Sequence, residues 1–381
     1  MKISIYQQEN RYFAQVAHKM EELAKPELVE LGATEVKISY RGVHFNADTK
    51  VLYKIIYCSR IISRVLAPLS GFSCHDEDYL YKMAKKIEWT DILGDKKSFA
   101  IFANVANSKI SNSRFATYRF KDAIVDYYRE KQGRRPDVDP KNPDVWLSLY
   151  INRNDAVISL DISGNMHRRK YRLDNAGGAP MKETLAAAIV KLSGWSGKNK
   201  LIDPMCGSGT IVGEALMVAA NIPAGYLREN PGISNLPEFD SELWELVKNE
   251  QNNKIKELPE GLIEAGDNRK RALGASRKNL GRLPGGKNIQ FHLSNFKNLG
   301  KLEGYTLIFN PPFGVRMGEL DRLKQFFTDI GDYLKQNCAG STAYIYIGNR
   351  ELIKSIGLRT SFKKTLFNGN LDGRLVKIEI Y

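Results

Sequence analysis

The chain has 381 residues, 43% of them hydrophobic, enough to build two or three separate cores and therefore several domains. Its 57 Lys and Arg against 43 Asp and Glu leave a net charge of +14, shared evenly between residues 1–170 and 171–381, as one long polyanion lying across both parts would require. The amino end lacks the apolar stretch of a signal peptide and no run reaches the roughly 18 apolar residues of a membrane span; with four scattered cysteines and no C-x-x-C pair, a cytoplasmic protein with reduced, mostly buried thiols and no metal is expected.

In chain order, YFAQV from Tyr12, a helical stretch from Lys19, and the short apolar runs VKISY and VHFNA read as a small α+β unit, with a further helix from Thr49. A second unit, about Leu66 to Asp161, carries the strand candidates FAIFANV, VWLSLYI and AVISLDI around the helix KDAIVDYYRE. Arg114, Tyr118, Arg119, Lys121, Arg134 and Arg135 interleave cations with aromatics here, a pattern that neutralises phosphates and stacks exposed RNA bases. The bland alternative is a solvated basic face over a core of Phe115, Phe120, Tyr127 and Tyr128. After the basic cluster His167 to Lys170 and the segment LDNAGGAP, the pattern becomes strand, helix, strand in alternation, the mark of an α/β sheet. LIDP, GLIEAGD, IQFHL, YTLIF and TAYIYI are the strands, and TIVGEALMVAA and ELDRLKQFFTDIGDYLKQ the helices.

Two loops in this last part carry chemistry. Asp203-Pro204-Met205-Cys206-Gly207-Ser208-Gly209-Thr210 follows a strand and opens a helix, and its glycines let the backbone turn tightly and come close to a ligand. A phosphate loop needs a lysine after the second glycine, and none follows Gly209; a dinucleotide loop needs its third glycine one residue earlier than Gly213. S-adenosylmethionine, which has no phosphate, needs only the open turn and polar groups for its methionine end and ribose.

Asn310-Pro311-Pro312-Phe313 follows the strand YTLIF, where open α/β sheets bind ligands. The exocyclic amine of a base is a weak nucleophile because its lone pair is delocalised into the ring. If the Asn310 side-chain oxygen and the Pro311 carbonyl accept its two hydrogens, the lone pair is aimed at a methyl sulfonium, a gain from positioning and electrostatics. Phe313 is suited to stack on the base, while Pro311 and Pro312 stiffen the loop.

DPMCGSGT followed by NPPFG resembles the class I amino-methyltransferases. With APMKETLAAAIVKLSGW and NSRFATYRFKDAIVDYYREKQGRRPDVD, nearly the whole chain resembles the THUMP-containing guanine-N2 methyltransferases of large-subunit (23S) ribosomal RNA. The resemblance implies an α/β Rossmann-like methyltransferase domain with a mixed seven-stranded sheet over residues 166–381, closing in strands at about Ser361–Phe367 and Arg374–Tyr381. An α+β ferredoxin-like domain over 1–65 and a THUMP RNA-binding domain over 66–165 are implied to precede it. It assigns S-adenosylmethionine as cofactor, with Asp203, Met205, Cys206, Gly207, Ser208, Gly209 and Thr210 around the methionine half and Pro180 and Lys182 packed beside it. Asp267 and Asn268 are placed at the ribose, Ser294 and Asn295 at the adenine, and Asn310 to Phe313 at the target amine. The implied partner is 23S RNA or a ribosome-assembly intermediate.

Transfer RNA guanine, a DNA adenine-N6 substrate and a non-enzymatic RNA-binding assembly role are the alternatives. Some relatives carry a second methyltransferase domain; since the sequence stops at Tyr381, that second activity is expected to be absent. The long spacing from Gly209 to Asp267 predicts an insertion at roughly Asn221–Pro259, read as a packed helical excursion in preference to a lip over the base.

Overall fold

The computed structural model describes residues 4–110, 112–174, 181–229, 231–312 and 320–381. Short runs of β-branched and aromatic residues form fourteen strands among them, gathered into two seven-stranded sheets. The first sheet holds β1 (Arg11–Gln15), β2 (Thr34–Ser39), β3 (Gly42–Asn46), β4 (Arg64–Ser73), β5 (Phe99–Ala106), β6 (Val145–Asn152) and β7 (Asp155–Asp161) in the order β2-β3-β1-β4-β7-β6-β5. Only β5 and β6 pair in parallel.

The expected runs at 12–16, 36–40 and 43–47 supply β1, β2 and β3, but β4, which joins the ferredoxin-like and THUMP strands into one sheet, is not evident from the pattern of its residues. RVLAPLSGFS contains Pro68 and Gly71, both depleted in strands, and the register against β7 shifts between Pro68 and Ser70, where a bulge absorbs the missing N–H. The helix expected over KDAIVDYYRE runs further, over Ser113–Gln132, with Ala116, Phe120, Ile124, Tyr127 and Tyr128 buried against the sheet.

The second sheet contains β8 (Leu201–Asp203), β9 (Ile263–Asp267), β10 (Gln290–Leu293), β11 (Thr306–Phe309), β12 (Thr342–Ile347), β13 (Phe362–Asn368) and β14 (Leu371–Glu379) in the order β10-β9-β8-β11-β12-β14-β13. The first five are parallel, and β14 inserts antiparallel beside β12 with β13 hairpinned outside it. This is the mixed sheet of a Rossmann-like methyltransferase domain. The helix Thr210–Ala219 is apolar almost all round because it is buried almost all round, a condition only a sandwiched helix meets.

One apolar cluster runs without a break from Tyr6 through both amino-terminal units to Leu375, while a second, including Ile202, Leu307, Phe327 and Val376, fills the other side of the catalytic sheet. The excursion after Asn221 forms the helix Ser241–Asn252, whose Trp244 sits edge-on to Tyr53 and Tyr57 of the helix Thr49–Cys58 at 5.7 and 5.8 Å. It is therefore packed between domains. Among the described residues no helix is long and apolar enough to cross a membrane, and no group of three metal-ligating side chains converges.

Candidate active site

Because β8, β9 and β11 are parallel and adjacent, the loops after Asp203, Asp267 and Phe309 leave the sheet on the same edge. They enclose a cavity of about 530 Å³. Its wall includes Asp203, Met205, Cys206, Gly207, Ser208, Thr210, Asp267, Asn268, Ser294, Asn295, Asn310, Pro311 and Pro312, residues far apart in sequence brought together by strand order alone. Pro204 of the same loop, with Met181, Ile211, Arg269, Phe296 and Phe326, completes it, and the last five were not evident beforehand. Phe326 arrives from the helix Leu320–Asn337 and meets Phe296 edge-on at 5.6 Å, a contact that no local pattern announces.

Among the residues expected here that the structure describes, Lys182 and Gly209 are not in this wall. Pro180 and Phe313 lie outside the described residues. Lys182 is exposed and caps the helix Glu183–Ser193 on the side of a different groove, so it does not face this cavity.

The two loop glycines have different reasons to be glycine. Gly207 has a φ of +56°, its N–H donates to Asp267 Oδ2 at 3.0 Å, and a Cβ there would meet open space. Gly209 has a φ of +84°, and its Cβ would fall 2.4 Å from Ser276 Oγ and 3.0 Å from Leu280 Cδ1. Gly209 therefore allows the helix Lys270–Leu280 to pack against the loop, and is absent from the cavity wall. The expectation that both glycines admit the ligand is corrected at Gly209.

Asp203 is 1% exposed and accepts the Met205 N–H at 3.0 Å. Burial pushes its carboxyl up to about 8, and the neighbouring Asp267 carboxylate adds to the shift. Asp267 accepts from four donors: Gly207 N at 3.0 Å and Arg269 Nη2 at 3.5 Å at Oδ2, and Arg269 N at 2.9 Å and Nε at 3.2 Å at Oδ1. A carboxylate has about four lone-pair sites, so sugar hydroxyls find acceptors here where they displace the exposed Arg269 guanidinium, which supplies two of the four donors. Asn295 Oδ1 accepts the Lys297 N–H at 3.1 Å and so caps the short helix Phe296–Asn298. The buried Cys206 thiol is pushed well up by burial and then by the two carboxylates, which makes it an inert packing group.

At the other end of the cavity, Asn310 Oδ1 is fully buried and has no hydrogen-bond partner among the described residues. A buried acceptor left unpaired costs about 1–3 kcal/mol, so such an atom points to a donor supplied by a ligand. Acceptors at one end, a polar carboxylate pair at the other and an open turn at Gly207 suit an adenosylmethionine with an amine beside it.

Known proteins resemble the chain over nearly its whole length. Residues 169–377 match the RMKL-like methyltransferase domain model, 74–161 the THUMP domain and 11–66 the RlmL ferredoxin-like domain. A candidate RNA methyltransferase of Synechocystis is 36% identical, the alignment covering 97% of both chains. The ribosomal RNA large subunit methyltransferase K/L of Syntrophotalea carbinolica is also 36% identical over 97% of this chain, which spans only 53% of that longer protein. In three dimensions a possible methylase from Clostridium difficile superposes with a TM-score of 0.85 at 23% identity, covering 98% of each chain.

Proposed function

The chain belongs to the THUMP-containing RMKL-like methyltransferases, and from that premise we propose that it methylates the exocyclic N2 amine of a guanine in large-subunit ribosomal RNA. S-adenosylmethionine is its cofactor and supplies an electrophilic methyl group on a sulfonium. The single observation that carries the reading is the unpartnered, buried Oδ1 of Asn310 beside the cavity. Together with the Pro311 carbonyl it accepts the two amine hydrogens, fixes the amine plane and leaves its lone pair free for in-line attack. Pro311 and Pro312 restrict the loop's motion, so the alignment needs little reorganisation during transfer. Asp203 and Asp267 bind the amino-acid and ribose ends and set the depth at which the methyl stands.

The test is transfer of labelled methyl by the purified chain to total RNA from cells lacking its gene, followed by nucleoside mass spectrometry. N2-methylguanosine in large-subunit RNA is expected. N6-methyladenosine as the product, or label confined to transfer RNA, would overturn the base or the substrate respectively.

A further inference from the structure

Between the THUMP sheet and the catalytic domain lies a second cavity, a groove of about 1250 Å³. We infer that this groove, rather than the outer face of the helix Ser113–Gln132, receives a single strand of the substrate RNA and leads it to the methyl-transfer cavity. The inference rests on the RNA methyltransferase reading and adds the path of the strand.

The groove combines the two groups that single strands require, cations for phosphates and an aromatic face for a base. Lys97, Arg168, Lys170, Lys182 and Arg282 line it, and among the described residues none of the five is paired with a carboxylate. Of its four acidic lining residues, Asp161 and Glu183 are held by Arg64 and Arg172, Asp144 accepts from Ser98 N and Oγ, and Glu229 is exposed, so the five cations still outnumber the carboxylates that no cation holds. Trp146 projects from β6 on the face opposite the residues Val145, Leu147 and Leu149 that pack into the core, and is only half-buried. Its ring meets Phe102 at 6.2 Å with the planes tilted by 55°, a contact that restrains the indole.

The cations on the long helix and just after it are differently placed. Arg119 bonds Asp78 and lies 4.4 Å over the Tyr81 ring, Lys121 is 3.5 Å from Asp122, and Arg134 lies 5.0 Å over Tyr128. Each of these three is spent largely on the protein's own groups, although Arg114 has no ion pair among the described residues. Of the five groove cations, Arg282 donates to the Lys170 carbonyl and the other four side chains have no bond among the described residues.

Continuity with the catalytic cavity supplies the direction. Arg172 lines the groove, and its Nη1 donates to Met181 O at 3.1 Å and Thr210 Oγ1 at 3.3 Å, two residues of the cavity wall. A strand anchored on Trp146 and the groove cations therefore runs alongside the wall of the cavity that holds Asn310.

The experiment measures anisotropy of a labelled, unstructured twelve-nucleotide RNA with the full chain across a salt series, and adenosylmethionine affinity by calorimetry in parallel. Trp146→Ala should weaken RNA binding about 5- to 150-fold with little change in salt slope, the range for losing one stacked base, and Trp146→Phe should restore most of it. Arg168→Glu and Lys170→Glu, at exposed positions, should each lower the salt slope by about 0.7. Cofactor affinity should not change in any of them. Groove variants that bind the oligonucleotide like the parent, losses confined to Arg114→Glu or Tyr118→Ala, or equal affinity for a blunt duplex would each overturn the path. Those results leave methyl transfer by the parent chain intact, whereas failure of the parent to methylate RNA at all strikes the functional reading itself.

Discussion

Alanine at Gly207 and alanine at Gly209 change the same loop by one methyl group each, yet the structure separates their consequences. Both positions hold positive φ, +56° and +84°, so either substitution carries the left-handed backbone cost of about 1–2 kcal/mol. At Gly207 nothing stands within 4 Å of the new Cβ and the cavity lies open beside it, so the protein's own packing adds no further cost. The methyl group instead occupies ligand space, and overpacking of about 1–3 kcal/mol translates into cofactor binding about 5- to 150-fold weaker. At Gly209 the Cβ collides with Ser276 Oγ at 2.4 Å, where the overpacking term falls on folding and raises the total loss to about 2–5 kcal/mol of stability. Urea denaturation with adenosylmethionine titration by calorimetry reads both quantities on each variant. A Gly209→Ala protein as stable as the parent but unable to bind cofactor, or a Gly207→Ala protein with parental affinity, would refute the division of roles.

Asn310→Ala should bind cofactor and RNA nearly as the parent does while single-turnover transfer slows about 10²–10³-fold, the scale for removing one preorganised polar group; a parental rate would remove Asn310 from the chemistry. Asp203, whose carboxyl is raised to about 8, is neutral near pH 6.5 in the free protein, and cationic adenosylmethionine favours its ionised form. Binding at that pH should therefore release about one proton, read from calorimetry in two buffers of different ionisation enthalpy, and Asp203→Asn should release none. Because that raised value exceeds the unfolded one near 3.8, stability of the free protein should fall as pH rises from about 4 to 8, and flatten in Asp203→Asn. Glu214 and Arg169 form a fully buried pair at 3.1 Å, so Glu214→Ala should cost about 3–5 kcal/mol in urea denaturation, and a loss under about 1 kcal/mol would show that the pair holds little.

Where sequence was informative, a local rule and the tertiary outcome coincide. The alternating α/β pattern after residue 170 carried the catalytic fold, and the ends of its strands carried the loops that meet at the cavity. β4 escaped because Pro68 and Gly71 suppress the strand signal, although neighbours on both sides and a bulge hold it in the sheet. The amino-terminal half of the helix Ser113–Gln132 escaped because Phe115 and Tyr118 stand exposed on its outer face and blur the apolar period, leaving Ala116 and Phe120 to mark the buried side. Gly207 and Gly209 look alike on paper; only the helix Lys270–Leu280, more than sixty residues onward, separates them, crowding the Cβ position of Gly209 and leaving that of Gly207 open. Phe326 and Met181 were invisible for the same reason, since their place in the wall comes from packing between distant segments.

The excursion at 221–259 acquires a purpose once the groove and the cavity are considered together. Transfer requires the amine within about 1 Å of its productive position, a demand that a loosely hinged RNA-binding unit would not meet. The excursion removes the hinge. Tyr53 OH accepts the Asp240 N–H at 2.8 Å, Tyr57 OH donates to Asn252 at 2.9 Å, and Asn235 reaches Asp144 O beside the THUMP sheet at 2.9 Å. Beneath these contacts Arg60 donates to the carbonyls of Met217 and Ile222, Arg228 to that of Ile56, and Arg169 to that of Arg60 and to Glu214. Buried guanidiniums are costly to desolvate and contribute little net stability, but each has fixed donor directions that only one arrangement of carbonyls satisfies. A purely apolar junction would tolerate small slips between the domains; this one penalises any slip with unpaired buried charge. The distance from Trp146 to Asn310 is thereby set by the fold itself, and the number of nucleotides between the stacked base and the methylated one is fixed with it.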